Sequence, residues 1–258
     1  MAAVLRYSAQ GPVAQVRLDR PDVRNALDTE LIEQLRSTFE RLAGDSAIRA
    51  VVLSGEGKVF CGGADVGMMR ESLELTREQN VAGARALSEM YRAIDHCPKP
   101  VIGKIHGAAL GGGAGLVAVC DIAIAASDAL FGFTETKLGI IPAVISPFVL
   151  AKIGASHARA LFLTGERFDA KRAQAIGLVH EVVVADSLDV AIERVTTELL
   201  SAGPSAIAAT KNLIAHVRET AYDDSLQLTA EAIAAQRTSA EGQEGLRAFL
   251  ERRSPNWK

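Results

Sequence analysis

The feature that most constrains this sequence is a run of three glycines at residues 111–113, between an apolar strand and an apolar helix. Residues 101–106 have the length and character of a buried strand, and residues 114–120 those of a buried helix. Because glycine has no Cβ, the backbone N–H groups at the start of such a helix are open to a ligand. The N-terminus of a helix also stabilises negative charge. The stretch therefore predicts either close packing or a site for a phosphate, a carboxylate or a reaction oxyanion.

These interpretations stay open on the residues of this turn alone. Glycines near a helix start often serve only to let helix and strand pack closely. The phosphate interpretation is the weakest, because the sequence has neither G-x-x-x-x-G-K-[ST] nor a strand–G-x-G-x-x-G–helix unit. The oxyanion interpretation gains support from a second glycine-rich strand end, since Gly62 and Gly63 follow the apolar strand predicted at residues 50–54.

Alternating strand and helix patterns predict an α/β fold with a largely parallel sheet. The predicted strands are residues 4–7, 13–18, 50–54, 101–106 and 121–125. One helix is predicted to begin after the cap Asp28, and another at a Thr76–Gln79 capping box. The second helix is predicted to bury Val81, Ala84, Leu87, Tyr91 and Ile94. From about residue 200 the pattern is helical, so we predict an α/β core over residues 1–200 and a helical region over residues 201–258.

The composition argues against several classes of function. Lys and Arg number 28 against 31 for Asp and Glu, a net charge of −3 that does not indicate nucleic-acid or membrane binding. The sequence has no run of about 18 apolar residues and no signal-peptide pattern. The three cysteines have no metal-like spacing and are typical of reduced thiols. We therefore expect a cytoplasmic protein without a metal site.

Two strand-to-helix turns without side chains can bring two backbone N–H groups to one point. This is the requirement of an oxyanion hole, in which each donor stabilises the transition state by about 2.7–4 kcal/mol. On a thioester the developing species is an enolate, so the matching chemistry is proton movement or water addition beside the carbonyl. Glu135 lies in a largely apolar stretch, where desolvation favours its protonated form, and it suits the role of acid and base.

The motifs around these turns resemble those of the crotonase (enoyl-CoA hydratase/isomerase) superfamily. They are R-P at 20–21 with R-N-A-L at 24–27, F-C-G-G-A-D at 60–65, G-G-G at 111–113 with C-D-I at 120–122, and F-G at 131–132 through L-G-I-I-P at 138–142. The resemblance covers essentially the whole chain. It implies the crotonase (ClpP-like) α/β fold, a ββα superhelix core with a C-terminal helical trimerisation region, and hence a homotrimer or a dimer of trimers.

The resemblance also implies the catalytic groups. The backbone N–H groups of Ala64 and Gly112 would form the oxyanion hole for an acyl-CoA thioester, and Glu135 falls at one of the two catalytic glutamates. The other family glutamate falls at Gly115 and is absent here. Three outcomes stay open: Glu135 makes both proton transfers, a carboxylate from elsewhere substitutes, or the reaction is not hydration.

Further residues are implied to bind CoA, which is part of the substrate, so no separate cofactor or metal is expected. Arg24 and Ala26 would line the pantetheine-phosphate path, Gly62, Asp65 and Val66 would contact the adenine side, and Phe249 and Arg252 would come from a neighbouring subunit. On the residues alone, Asp65 is also a predicted helix cap, and Arg252 a solvated residue at a helix end.

Residues 134–147, the G-L pair at 115–116 and the tail up to Trp257 resemble bacterial methylglutaconyl-CoA hydratases. The implied reaction is addition or removal of water across the 2,3 double bond of a thioester from leucine or branched-terpenoid breakdown. Because such a substrate ends in a second carboxylate, we expect a cation in the acyl pocket. Arg70 is the candidate, unless it is simply a solvated arginine at a helix start. The alternatives are an enoyl-CoA isomerase, a glutaconyl-CoA decarboxylase, or a non-catalytic relative that binds acyl-CoA or RNA.

Overall fold

Within residues 4–257, which the computed structural model describes, a six-stranded and a three-stranded sheet form the frame of the protein. In chain order the strands are β1 (Leu5–Gln10), β2 (Val13–Leu18), β3 (Ala50–Gly55), β4 (Val101–Ile105), β5 (Ala108–Leu110), β6 (Ile122–Ala126), β7 (Leu130–Gly132), β8 (Arg167–Asp169) and β9 (Glu181–Val183). The larger sheet has the order β1-β2-β3-β4-β6-β9 and is parallel except for the β1–β2 hairpin. The smaller sheet has the order β5-β7-β8.

The helices lie between and after these strands. They are α1 (Thr29–Gly44), α2 (Val66–Ser72), α3 (Arg77–Asp95), α4 (Gly112–Ala118), α5 (Ser146–Thr164), α6 (Ala170–Ala175), α7 (Leu188–Ser201), α8 (Pro204–Glu219), α9 (Tyr222–Thr238) and α10 (Ala240–Glu251). Both predicted caps are confirmed. The Asp28 carboxylate accepts a hydrogen bond from the Leu31 N–H (2.8 Å), and Thr76 and Gln79 cap α3 reciprocally.

Apolar side chains cover both faces of the larger sheet, as expected where helical crossovers connect parallel strands. On one face, Val51 and Leu53 join a core that includes Leu31 and Leu35 of α1. On the other face, residues such as Ile102 pack in a second cluster together with α7. A parallel sheet covered on both faces needs continuous apolar strands rather than alternating ones, which is the pattern of residues 50–53.

The predicted buried face of α3 is wrong in its first half. Tyr91 and Ile94 are fully buried and Leu87 is half-buried, whereas Val81 and Ala84 are exposed. The first turns of α3 extend beyond the core, so no other described segment covers them. Helix α4 also starts two residues earlier than predicted, at Gly112, the second of the three consecutive glycines. The sequence pattern does not predict β5, β7 or β8, because each has three residues, too few to show an alternation.

Helices α8 to α10 follow the core, as the helical pattern predicts, and polar contacts join α8 to the core and α10 to α8. Lys211 of α8 forms an ion pair with Asp121 (2.7 Å), which directly precedes β6. Glu241 of α10 accepts hydrogen bonds from the N–H groups of Ser205 and Ala206 (2.9 and 2.8 Å) at the start of α8. No helix among residues 4–257 is long and apolar enough to cross a membrane.

Candidate active site

A short extended segment after β3, residues 61–65, brings the two glycine-rich turns together. Ala64 pairs as an isolated parallel bridge with Leu27, and Cys61 pairs in the same way with Ala109 of β5. The backbone hydrogen bonds of these bridges are 2.7–3.1 Å long. Since β5 leads directly into α4, the segment lies against the start of that helix.

The contact between the turns requires glycine. Gly63 has a φ of +104°, and a Cβ there would lie 2.9 Å from the Leu110 carbonyl oxygen and 3.9 Å from the Gly112 nitrogen. The next N–H along the chain is that of Ala64, and Gly112 is the first residue of α4. Neither the Ala64 nor the Gly112 N–H donates a hydrogen bond to any group within the described residues. Two unpaired amides from distant parts of the chain are therefore close neighbours.

The carboxyl group of Glu135 lies beside the same turn. Glu135 opens a short 3-10 helix after β7, and β7 pairs in parallel with β5, so both segments lead to the site. Its Oε1 lies 3.4 Å from the position that a Cβ on Gly111 would take. Its Oε2 is buried and has no hydrogen-bond partner in the described chain. Burial raises the pKa of Glu135, because a carboxyl group removed from water favours its uncharged, protonated form.

The place of the second family glutamate is filled by two buried side chains. A Cβ on Gly115 would lie under 3.0 Å from Ile145 Cγ2, and 3.0 and 3.1 Å from Oη and Cζ of Tyr91. Ile145 and Tyr91 are both buried. The three atoms closest to that position thus belong to an aliphatic and a phenolic side chain, and none belongs to a carboxylate.

Comparison with known proteins identifies the family. Residues 8–258 match the model of the family described as enoyl-CoA hydratase/isomerase. The chain belongs to this family. A 2,3-dehydroadipyl-CoA hydratase of Escherichia coli is 32% identical over 261 residues, with 98% of each chain covered. A Δ(3,5)-Δ(2,4)-dienoyl-CoA isomerase of Dictyostelium discoideum is 33% identical, over 95% of this chain and 87% of the relative.

Solved structures of relatives show the same architecture. An enoyl-CoA hydratase of Shewanella pealeana superposes with a TM-score of 0.95 at 40% identity, covering 99% of this chain and 96% of the other. The crotonase fold predicted from the resemblance is thereby confirmed. As a member of the enoyl-CoA hydratase/isomerase family, the protein is expected to handle an acyl-CoA thioester.

Three residues predicted to bind CoA lie together at the first glycine turn. Arg24 is exposed and has a left-handed φ of +58°. Its carbonyl accepts a hydrogen bond from the Gly62 N–H (2.8 Å), and a Cβ on Gly62 would lie 3.2 Å from the Arg24 Cβ. Ala26 is buried two residues further on. This proximity agrees with a shared CoA path, and the contacts with CoA themselves stay a prediction.

Asp65 and Val66 lie where this turn enters α2. The Asp65 carboxylate accepts a hydrogen bond from the Gly67 N–H (2.7 Å), so its predicted role as a helix cap is confirmed. Its other oxygen pairs with Arg20 (3.1 Å), which also pairs with Asp28 (2.8 Å). Val66 is exposed at the first position of α2. Contact of either residue with adenine stays a prediction.

Three other predicted residues lie on exposed helix surfaces. Arg70 is exposed and forms no ion pair within the described chain, but it lies in the last turn of α2 and not at a helix start as predicted, because α2 begins at Val66 and has seven residues. Phe249 is 80% exposed on α10, and Arg252 ends that helix with a left-handed φ of +56°. Both are accessible to another subunit, but the trimer and its contacts with CoA stay predictions.

Asn25 is a buried polar residue to which the sequence assigns no role. Its Nδ2 donates to the carbonyls of Glu56, Val59 and Phe60 at 2.8–3.2 Å, and its Oδ1 accepts from the Arg20 N–H (2.8 Å). The side chain thus fastens the loop before α1 to the loop after β3. These two loops carry the free amide of Ala64 and the residues Arg24, Ala26 and Gly62, which are predicted to bind CoA.

Proposed function

We propose that the protein adds water across, or removes it to form, the 2,3 double bond of a methylglutaconyl-type acyl-CoA. The observation that supports this proposal is the carboxyl group of Glu135, which has one buried oxygen without a hydrogen-bond partner among the described residues and lies beside the turn at Gly111 that leads to the free Gly112 amide. In the proposal the N–H groups of Ala64 and Gly112 bind the thioester oxygen, and Glu135 moves the proton.

A single carboxyl group can serve both halves of this reaction. As the water oxygen bonds to C3, the Glu135 carboxylate takes a proton from the water, and the electrons of the double bond move onto the thioester oxygen. The two N–H groups stabilise that negative oxygen. When the enolate collapses, the protonated Glu135 delivers its proton to C2. Because one group acts on one face, the addition is syn. The raised pKa of Glu135 supports the second half, since it favours the protonated carboxyl.

The substrate class is supported by one relative and one side chain. The Escherichia coli relative is named for 2,3-dehydroadipyl-CoA, an enoyl thioester that ends in a second carboxylate. A methylglutaconyl-type thioester has the same feature. Arg70 is exposed on α2, forms no ion pair with another residue in the described range 4–257, and is the cation that we propose for that carboxylate. The CoA portion is proposed to lie along Arg24, Ala26 and the turn at Gly62, with α10 of a neighbouring subunit completing the site.

The test is to offer the purified protein methylglutaconyl-CoA and crotonyl-CoA and to follow the loss of enoyl-thioester absorbance. We expect turnover of both, with a higher kcat/KM for methylglutaconyl-CoA. Glu135→Gln should lower kcat by about 10²–10⁴-fold and leave the affinity for a saturated acyl-CoA nearly unchanged. Glu198→Gln, the same change at an exposed glutamate of α7, is the matched control. Full activity of Glu135→Gln, or no turnover of either thioester by the wild type, would contradict the proposal.

A double-bond isomerase is the second candidate. A shift of the double bond needs one group that takes a proton from one carbon and returns it to another. Because Ile145 and Tyr91 occupy the place beside Gly115, Glu135 is the carboxyl group proposed for both steps. The Dictyostelium discoideum relative is named as an isomerase of this kind. Mass spectrometry of the product separates the reactions, because hydration adds water, isomerisation leaves the mass unchanged and decarboxylation releases CO2. Binding without any change of mass would indicate a non-catalytic acyl-CoA-binding protein.

A further inference from the structure

The hydroxyl group of Tyr91 reaches the start of α4 from the buried half of α3. Tyr91 is fully buried, and its Oη–H donates a hydrogen bond to the Gly112 carbonyl (2.7 Å). A Cβ on Gly112 would lie 3.1 Å from the Tyr91 Oη and 3.0 Å from Cδ1 of Leu27. Gly112 is therefore enclosed by two side chains, of which Tyr91 forms the directional contact.

A glycine turn needs support from outside to hold a donor in one direction. Gly111 has φ +50° and ψ −120°, and the residues that follow have no side chains to pack. The Gly112 carbonyl and the Gly112 N–H belong to two peptide planes joined at one Cα. The hydrogen bond from Tyr91 holds the peptide plane that contains the Gly112 carbonyl. It thereby limits rotation at the Gly112 Cα, which would change the direction of the Gly112 N–H. A site that stabilises developing charge requires its donors to hold their orientation before the reaction.

We propose that Tyr91 is a positioning residue, whose hydroxyl holds the Gly112 peptide so that its N–H meets the thioester oxygen in the transition state. The inference rests on the proposed function, which assigns that N–H to the thioester. The Tyr91 hydroxyl is not a replacement for the absent glutamate, because its proton is donated to a backbone carbonyl. Burial, and to a lesser degree Cys61 and Glu135, raises the pKa of Tyr91 far above its usual value, so the phenol stays a donor.

Tyr91→Phe keeps the ring and removes the hydroxyl. We expect kcat to fall about tenfold, because the misaligned donor acts in the transition state. KM and the affinity for a saturated acyl-CoA should change by less than about twofold, since the ground state depends little on that donor. The pH profile set by Glu135 should keep its midpoint. Tyr7→Phe removes a hydroxyl from a side chain that is 40% exposed on β1, and it should change none of these quantities.

A spectroscopic readout tests the same orientation without turnover. The carbonyl stretching frequency of a bound, isotope-labelled saturated acyl-CoA falls when two N–H groups polarise the thioester. In Tyr91→Phe the frequency should move back toward that of the free thioester, and in Tyr7→Phe it should match the wild type. A merely structural role of Tyr91 would weaken folding and binding together and would leave the frequency of the bound molecules unchanged.

The outcomes separate this inference from the proposed function. Suppose that the wild type is active. A kcat of Tyr91→Phe within about twofold of the wild-type kcat, or an unshifted carbonyl frequency in Tyr91→Phe, would then overturn the role of Tyr91 alone. Loss of folding, binding and turnover in parallel would assign Tyr91 to packing and overturn it as well. If the wild type binds acyl-CoA but converts no enoyl-CoA, the proposed function fails, and the frequency shift still decides the role of Tyr91. If no acyl-CoA binds the wild type, both fail.

Discussion

Replacing Gly115 by alanine tests whether Ile145 and Tyr91 fill the place of a second carboxyl group. The added Cβ would lie under 3.0 Å from Ile145 Cγ2, where an unstrained carbon–carbon contact is about 3.5–4.0 Å. Isoleucine is β-branched, so its Cγ2 moves only if the whole side chain rotates or the backbone shifts. Overpacking of this kind costs about 1–3 kcal/mol, and an overlap this close belongs near the upper end.

Helix propensity acts in the opposite direction. Gly115 lies inside α4, where alanine is more favourable than glycine by about 1 kcal/mol. The net loss in the free energy of unfolding should therefore be about 2 kcal/mol, the difference between the overpacking cost and that gain. In an Ile145→Ala background the obstructing methyl group is absent. There the same substitution should be neutral or stabilising by up to about 1 kcal/mol, limited by the contacts with Tyr91. The coupling energy between the two positions should be about 2–3 kcal/mol.

Guanidinium denaturation of the four variants, at one protomer concentration, measures this cycle. Gly83→Ala on the exposed part of α3 is the matched control, because no atom lies within 4 Å of its added Cβ. It should stabilise the protein by about 1 kcal/mol. The reasoning is refuted if Gly115→Ala stabilises the wild type as Gly83→Ala does, or if the coupling energy is below about 0.5 kcal/mol.

Two further predictions concern buried polar groups. Burial raises the pKa of Glu135, so the stability contributed by its protonated form is present below the ordinary glutamate pKa and is lost as the pH rises through the raised pKa. Glu135→Gln should accordingly unfold at higher denaturant concentration than the wild type in neutral buffer and at nearly the same concentration in acid; equal midpoints throughout would contradict this. Asn25→Ala leaves three carbonyls without their donor and should lower the free energy of unfolding by about 3 kcal/mol. The exposed Asn212→Ala should change it by less than about 0.5 kcal/mol in the same denaturation experiment, and equal effects would disprove the role of Asn25.

The longer helices and strands could be predicted because their apolar patterns extend over many more residues than the one or two by which their ends are uncertain. Helix α1 combines a cap at Asp28 with a regular apolar face, and β3 is a continuous apolar run. The three-residue strands β5, β7 and β8 could not be predicted, because their pairing depends on segments far apart in the chain. The exposure of Val81 could not be predicted for a similar reason, because it depends on which distant segments pack against α3. Periodicity shows which residues of a helix share a face, but not whether anything lies beneath it.

The approach of the two glycine turns and of Glu135 could be predicted from the sequence, whereas the side chains packed around them could not. Gly63 and Gly112 are indicated by their glycine context, and Glu135 by its apolar surroundings. Helical spacing predicts Tyr91 only as a core residue, and Ile145 lies in an ordinary apolar run. That both meet at the position of Gly115 is a property of the folded chain. The absence of a glutamate is visible in the sequence, but what fills its place is not.

The filled space beside Gly115 also explains the surroundings of Glu135. A second carboxylate nearby would contribute a like charge to the pKa of the first, whereas here burial supplies the upward shift. A donor to the buried Oε2 would stabilise the ionised form and lower that pKa, and the described chain provides none. The unpartnered oxygen costs stability, yet it favours the protonated form of a group that, in the proposed reaction, takes a proton and returns it. If this reasoning is right, Glu135→Gln loses turnover and gains stability at neutral pH in the same molecule. A variant that lost turnover without that gain would show that another group, not burial, governs the protonation of Glu135.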